Sequence, residues 1–126
     1  MKRLWIAVGI LFILLAGTLV NSFYLTQIID GYELRLSTAQ TLAAQGAWTN
    51  ASQLTRQVYE DWERRSFYFH VLMRHTDTDA VYLTFREVQE YLKLKETDQY
   101  TAANARLMAQ LGLLAEMEQL TLKNVL

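Results

Sequence analysis

The chain has 126 residues, with 12 Lys and Arg against 13 Asp and Glu, and it contains neither cysteine nor proline. The lack of cysteine excludes a thiolate nucleophile, a thiolate metal site, a disulfide and a thioether-linked lipid anchor. Beyond Arg3 the chain carries 10 basic and 13 acidic residues, an acidic balance that argues against a nucleic-acid-binding protein.

The N-terminal segment has the composition of a membrane span. No charged residue occurs from Leu4 to Ile29, and a span requires about 20 mainly apolar residues. We therefore predict an anchor over residues 1–22, in contact with the lipid bilayer through residues 4–24. A single outer domain follows over residues 23–126.

The charges beside this span predict its direction. Lys2 and Arg3 precede it, and positive charge flanking a first span favours a cytoplasmic N-terminus. The expected location is the cell membrane, with one span and an extracytoplasmic domain. A cleaved signal peptide is the alternative, but the apolar stretch exceeds the usual h-region of about 7–15 residues and no small-residue cleavage site follows it.

The outer domain begins with a predicted helix from Tyr24 to Gln45, whose apolar residues recur at alternating spacings of four and three. No strong helix breaker separates it from the span, so the two segments can form one rod of about 40 residues. Gly46 can adopt the left-handed conformation that ends a helix.

Three further helices are predicted. The second runs from Ala47 to Phe69, the third begins after residues 76–79, and the fourth runs from Gln99 to Leu120. Residues 95–98 form a loop and cap, and residues 121–126 form a tail. Short connections favour antiparallel neighbours, so the predicted fold is all-α, a transmembrane helix continuing into a small antiparallel bundle of about four helices. The residues expected to face the core are Leu25, Ile29, Tyr32, Leu36, Ala39, Ala43, Trp48, Ala51, Leu54, Val58, Trp62, Val81, Phe85, Val88, Leu92, Tyr100, Ala103, Leu107, Leu111, Leu114 and Met117.

The junction before the third helix contains the densest set of possible metal ligands. Imidazole and carboxylate groups of His70, His75, Asp77 and Asp79 could hold a divalent ion. The two histidines are five residues apart, however, which places them about 140° apart on one helix. We favour a structural interpretation, in which Thr76 or Asp77 caps the helix and Asp79 lies in its first turn. The sequence thus predicts neither a metal nor another cofactor.

The stretch from Arg64 to His70 is basic and aromatic. Such a mixture can bind single-stranded nucleic acid or anionic lipid. Because the domain is acidic overall, we favour the end of an amphipathic helix, with aromatic rings packed inward and arginines paired with Glu60 and Asp61.

The tryptophans and hydroxyl side chains give no enzymatic signal. Trp48 and Trp62 could line a ligand pocket, but core packing is the favoured interpretation because aromatic residues dominate small cores. Ser52, Ser66 and Thr84 have no evident base and orienting group, so no catalytic residue is predicted.

Several short motifs carry a family resemblance. They are Gly46-Ala47-Trp48-x-x-Ala51, Trp62, His75-x-Asp77-x-Asp79 and the closing Glu118-x-Leu120-Thr121-Leu122-x-Asn124-Val125-Leu126. Together with a basic start and one span, they resemble the bacterial family known as domain of unknown function four-three-six-three. The resemblance implies a small anchored protein of Gram-positive, often spore-forming bacteria, and it implies no chemistry for particular residues.

These observations favour a non-enzymatic accessory or interaction protein whose extracytoplasmic bundle binds a partner. The expected partner is a membrane protein or a second copy of the chain. Binding to nucleic acid is not expected. Gly9 and Ala16 give the span one smooth face for another helix. The alternative is an extracytoplasmic sensor or binding module for a small ligand or metal ion, since helical bundles can hold ligands between helices.

Overall fold

A computed structural model describes residues 1–72 and 74–125, and within them all regular structure is α-helical. Met73 and Leu126, both inside the predicted outer domain, lie outside the described residues. The helices are α1 (Lys2–Ala44), α2 (Trp48–Arg64), α3 (Ser66–Leu72), α4 (His75–Leu94) and α5 (Thr97–Val125). The prediction of an all-α helical bundle is confirmed.

The predicted continuous rod is also confirmed. Helix α1 has 43 residues, so it is about 65 Å long at the standard rise. Gly46 ends it at a φ of +82°, as predicted. The amide of Gly46 donates to the carbonyl of Ala43 (3.0 Å) and the amide of Ala47 donates to that of Leu42 (2.8 Å). This is the Schellman pattern, which satisfies carbonyls left open at a helix end.

Four helices form the sides of the bundle. Helix α1 packs against α2 and α5, and α4 packs against the same two helices from the opposite side. Helix α5 runs antiparallel to α1. Early in α5, the Asn104 amide donates to the carbonyl of Leu36, late in α1 (3.1 Å). Late in α5, Glu118 accepts a hydrogen bond from the amide of Asn21, which lies earlier in α1 (3.4 Å). The arrangement is an antiparallel four-helix bundle. We call its end near Asn21, where the apolar half of α1 leaves it, the base.

The core consists of the predicted stripes. Nearly all residues expected to face inward are buried or half-buried, and Trp48 and Leu54 pack at the edge of the core. Met117 is the exception, since its side chain is 44% exposed. Sequence reasoning missed the buried Asn104, which is fully enclosed.

The predicted second helix is wrong in one respect, because the chain bends at Arg65 and divides it into α2 and α3. The reason is aromatic packing. Trp62 and Phe69 are seven residues apart, which would separate them by about 10 Å along one straight helix. Their rings instead stack with centroids 4.2 Å apart, and this contact requires the chain to bend between them.

The bounds of α5 also differ from the prediction. The helix begins at Thr97 instead of Gln99, and it continues to Val125 where the sequence predicted a tail. Residues 121–125 contain no glycine or proline to stop it. Its later turns are held alongside α1, because the Gln119 amide donates to the Thr26 hydroxyl (3.4 Å).

Candidate functional site

A network of polar side chains gathers at the base of the bundle around Asp61. One oxygen of this carboxylate accepts hydrogen bonds from the Tyr32 hydroxyl (2.7 Å) and from Nε of Arg65 (3.1 Å). The other oxygen accepts a bond from Arg64 (3.0 Å). Three donors from two helices therefore converge on one carboxylate that is 18% exposed.

The electrostatics of the network hold Asp61 in its charged form. Burial by itself would raise the pKa of Asp61, but the hydrogen bonds from Tyr32 and Arg65 and the charges of Arg65 and Arg64 lower it on balance. Burial, followed by the bond to Asp61, raises the pKa of Tyr32. A carboxylate that stays ionised and already accepts three hydrogen bonds is a structural acceptor and a poor general base.

Asn21 connects three helices where the bundle meets the apolar segment of α1. Its side-chain oxygen accepts a hydrogen bond from the Tyr68 hydroxyl of α3, and its amide donates to Glu118 of α5 (3.4 Å). The Arg65 guanidinium donates to the hydroxyl of Tyr24, whose ring packs edge-on against Tyr68 with centroids 6.0 Å apart. Both α3 and α5 are thereby attached to α1 where its apolar segment ends.

The structure brings together only part of the proposed metal-ligand set. His70 ends up on α3 and His75 on α4, with ring centroids 4.9 Å apart. Both histidines are exposed, and Nδ1 of His70 lies 3.2 Å from the Thr78 hydroxyl. Within the described residues, no three His, Asp or Glu side chains converge as metal ligands would, so Asp77 and Asp79 do not complete a set with the histidines.

The predicted cap of the third helix is wrong. Helix α4 begins at His75 with Arg74 at the N-cap position, and among the described residues no side chain makes a capping hydrogen bond there. Asp77 lies in the first turn, where Asp79 was expected. The Thr78 hydroxyl donates to the carbonyl of His75 (3.0 Å), so the threonine that bonds to this backbone is two residues later than expected.

An open cavity of about 390 Å³ lies beside the histidines, lined by residues that include Trp62, Phe69, His70 and Asp79. Trp62 is only 4% exposed and belongs to the core, as predicted. Trp48 lies at the other end of α2, where it packs edge-on against Tyr100 with centroids 6.3 Å apart. The two tryptophans therefore line no common pocket.

The basic and aromatic stretch is divided between the core and the surface. Phe69 is buried and Tyr68 half-buried, as the favoured interpretation requires, but Phe67 is 80% exposed. The predicted pair of Asp61 and Arg65 is present at 3.1 Å. Arg64 contacts Asp61 (3.0 Å) instead of the predicted Glu60.

The base network was missed at the sequence level because its contacts are long-range. The Tyr32–Asp61 bond joins residues 29 apart, and the Asn21–Glu118 bond joins residues 97 apart. One signal was available. Asn21 is the first strongly polar side chain after the long apolar stretch, and such a residue needs a hydrogen-bonding partner wherever water is scarce.

Comparison with known proteins identifies the family. No match is found among curated proteins, and none among solved structures. A family model described as Domain of unknown function (DUF4363) matches residues 19–125. This match includes Asn21, the whole base network and all four sides of the bundle. The chain therefore belongs to the DUF4363 family.

Proposed function

We propose that this protein is a non-enzymatic membrane-anchored interaction module. Its N-terminal half-helix crosses the bilayer, and its helical bundle binds a membrane-protein partner at the outer surface. The observation that carries this proposal is the division of α1 into an apolar half that is exposed except at Leu15 and a half that forms one side of the bundle.

The burial pattern along α1 supports the anchor. By length and composition this helix can cross a membrane, and none of its most apolar window is buried. From Leu25 to Ala43 a regular stripe is buried in the bundle. The core helix of a soluble protein would bury its apolar window, whereas a span leaves it for lipid contact.

The contacts of Asn21 support a retained anchor over a cleaved signal peptide. The helix runs without interruption through Asn21 and Ser22, and Ser22 is already buried against the bundle. Cleavage at this point would remove α1 residues that attach both α3 and α5. Lys2 and Arg3 support a cytoplasmic N-terminus, since positive charge is enriched on that side.

The state of the polar groups supports a binding role. Asp61 is occupied by three donors. Thr78 lies near His70 (3.2 Å) but is only 4% exposed, so its hydroxyl is poorly placed to attack a substrate. Exposed apolar side chains on the sides of the bundle, such as Leu34, Leu83 and Leu113, offer contact points for a protein partner.

Anchorage and topology are tested with single cysteines, because the native chain has none. Gln99→Cys, near the start of α5, should react with an impermeant maleimide in intact cells after the wall is permeated. The matched variant Lys2→Cys should react only after lysis. The protein should also stay in the membrane pellet through alkaline extraction. Release by alkali, or the reverse labelling pattern, contradicts the anchor or its direction.

The partner is tested by photo-crosslinking in native membranes, with a photoreactive residue placed in turn at Leu34, Leu83 and Leu113. We expect one membrane protein, or a second copy of the chain, to be captured reproducibly from one face of the bundle. Equal, unspecific capture from all three positions contradicts a dedicated partner surface.

A second candidate function is an extracytoplasmic sensor for a metal ion or small ligand. The observation that favours it is the approach of His75 to His70, which lines the open cavity. If zinc is the ligand, adding it to chelator-treated protein should raise the melting temperature of the native chain. It should leave that of His75→Ala unchanged.

A further inference from the structure

The contacts of Asn21 place two other elements at the depth where the span ends. The 17 residue steps from Leu4 to Asn21 cover about 26 Å of helix, close to the hydrocarbon thickness of about 30 Å. Asn21 therefore lies near the outer boundary of the hydrocarbon. Tyr68 of α3 and Glu118 of α5 both bond to it, so both helices reach this boundary.

Helix α5 extends beyond that level. It runs antiparallel to α1 and continues from Glu118 to Val125, so its last two turns lie beside the apolar half of α1. Leu15 is the single half-buried residue between Lys2 and Val20. Leu120 is 58% exposed on these turns, and Lys123 is exposed one turn later.

Helix α3 presents an unpartnered apolar face at the same depth. Phe67 is 80% exposed and Val71 is 68% exposed, and a spacing of four places them on one side of the helix. Among the described residues, α3 instead supplies Phe69 to the core and packs Tyr68 against it. Exposed apolar side chains bordered by polar residues are typical of surfaces that contact protein or membrane.

The charge of this segment matches a phospholipid surface. Residues 64–75 contain three arginines and two histidines and no acidic residue, although the domain as a whole is acidic. Basic residues beside an apolar face are typical of helices that lie in the headgroup region, where Lys and Arg are attracted to anionic lipid. Tyr24 and Tyr68 occupy the level at which tyrosine is enriched in membrane proteins.

We propose that α3 and residues 118–125 of α5 form a collar around the emerging span, and that this collar lies in the headgroup region of the bilayer. The occupant of its apolar face is lipid. The inference rests on the proposed membrane anchor. In this arrangement Phe67 and Leu120 enter the upper acyl region, while Lys123 and Arg74 reach the phosphates along their aliphatic stems. The bundle is then fixed at a set height and tilt.

The test measures the depth of single cysteines in the full-length protein. A small environment-sensitive fluorophore is attached to Phe67→Cys and Leu120→Cys, and the protein is reconstituted in phosphatidylcholine vesicles with a minority of phosphatidylglycerol. Nitroxide lipids labelled high or low on the acyl chain report depth by quenching. Leu94→Cys is the matched control, since Leu94 is 57% exposed at the opposite end of the bundle. Phe12→Cys reports on the span.

We expect positions 67 and 120 to be quenched most strongly by the shallow nitroxide, at a depth of about 5–10 Å into the headgroup–acyl boundary. Position 94 should show aqueous emission and no quenching, and position 12 should be quenched best by the deep nitroxide. Quenching at position 12 together with aqueous emission at positions 67 and 120 overturns the proposed collar but is consistent with the proposed membrane anchor. Loss of quenching at position 12 overturns both.

A protein partner is the competing occupant, and native membranes distinguish it from lipid. A photoreactive residue at Phe67 should form adducts with the mass of one phospholipid. Reproducible adducts with one protein at this position overturn the proposal that lipid covers the collar.

Discussion

Tyr32 and Tyr100 form a natural pair for testing how the base network contributes to stability. Both rings are buried, at 2% and 1% exposure. The Tyr32 hydroxyl donates to Asp61 at 2.7 Å, whereas the Tyr100 hydroxyl has no hydrogen-bond partner among the described residues. Replacing each tyrosine by phenylalanine removes the same atom from two different environments.

The structure predicts opposite outcomes. A hydrogen bond to a charged group contributes about 1.5–3 kcal/mol. Because Asp61 keeps both arginines in Tyr32→Phe, we expect a loss near the lower end of that range. Tyr100→Phe removes a buried polar atom that gains no compensating bond, so it should leave stability unchanged or raise it slightly.

Unfolding of the full-length protein in a mild detergent, followed by circular dichroism, measures the difference. For a domain of this size, each kcal/mol shifts the melting temperature by about 4–8 °C. A double-mutant cycle of Tyr32→Phe with Asp61→Asn then isolates the coupling, which should exceed about 0.5 kcal/mol for groups in direct contact.

Two results would refute this reasoning. Equal effects of the two phenylalanine substitutions would show that the contact with Asp61 adds nothing to burial of the ring. Additivity in the double-mutant cycle would show that Tyr32 and Asp61 do not interact in the folded protein.

Four further predictions follow from the packing and the charges. Trp62→Ala should destabilise the protein by about 3–5 kcal/mol, the range for large aromatic residues in a core, and an unchanged melting temperature would place this side chain outside the core. Gly46→Ala should destabilise the protein by about 1 kcal/mol, because Gly46 has a φ of +82°. Lys95→Gly should stabilise it by a similar amount, because Lys95 has a φ of +57°. Changes in melting temperature of the same sign for both variants would contradict the assigned turns. The folded state lowers the pKa of Asp61 from its ordinary value of 3.8. The contribution of Asp61 to stability should therefore be present at a pH above 3.8 and be lost as the pH falls through the lower pKa of the folded state. The melting temperature of Asp61→Asn should fall less steeply with acid. A chelator should leave the melting temperature of the native chain and of His75→Ala unchanged, and chelator sensitivity of the native chain alone would favour the sensor.

The helical architecture of this protein is determined by its sequence. Apolar residues recur along α1, α4 and α5 with the period of a helix, and periodicity is a local property that survives in any packing. The stripe from Leu25 to Ala43 is buried as this period predicts, and Gly46 ends the rod because its conformation is open mainly to glycine. The apolar composition of residues 4–20 is likewise a property of the sequence alone.

Only the tertiary structure decided where the chain turns and which polar groups meet. The bend at Arg65 exists because Trp62 stacks on Phe69 within the core, and no local signal opposes a continuous helix there. The approach of His70 to His75 depends on how α3 and α4, which carry them, pack against each other. Asn21 bonds to Tyr68, 47 positions away in the sequence, and to Glu118, 97 positions away. Such contacts depend on how the four helices pack. Helical periodicity specifies the face on which a residue lies, but it leaves that residue's partner on another helix undetermined.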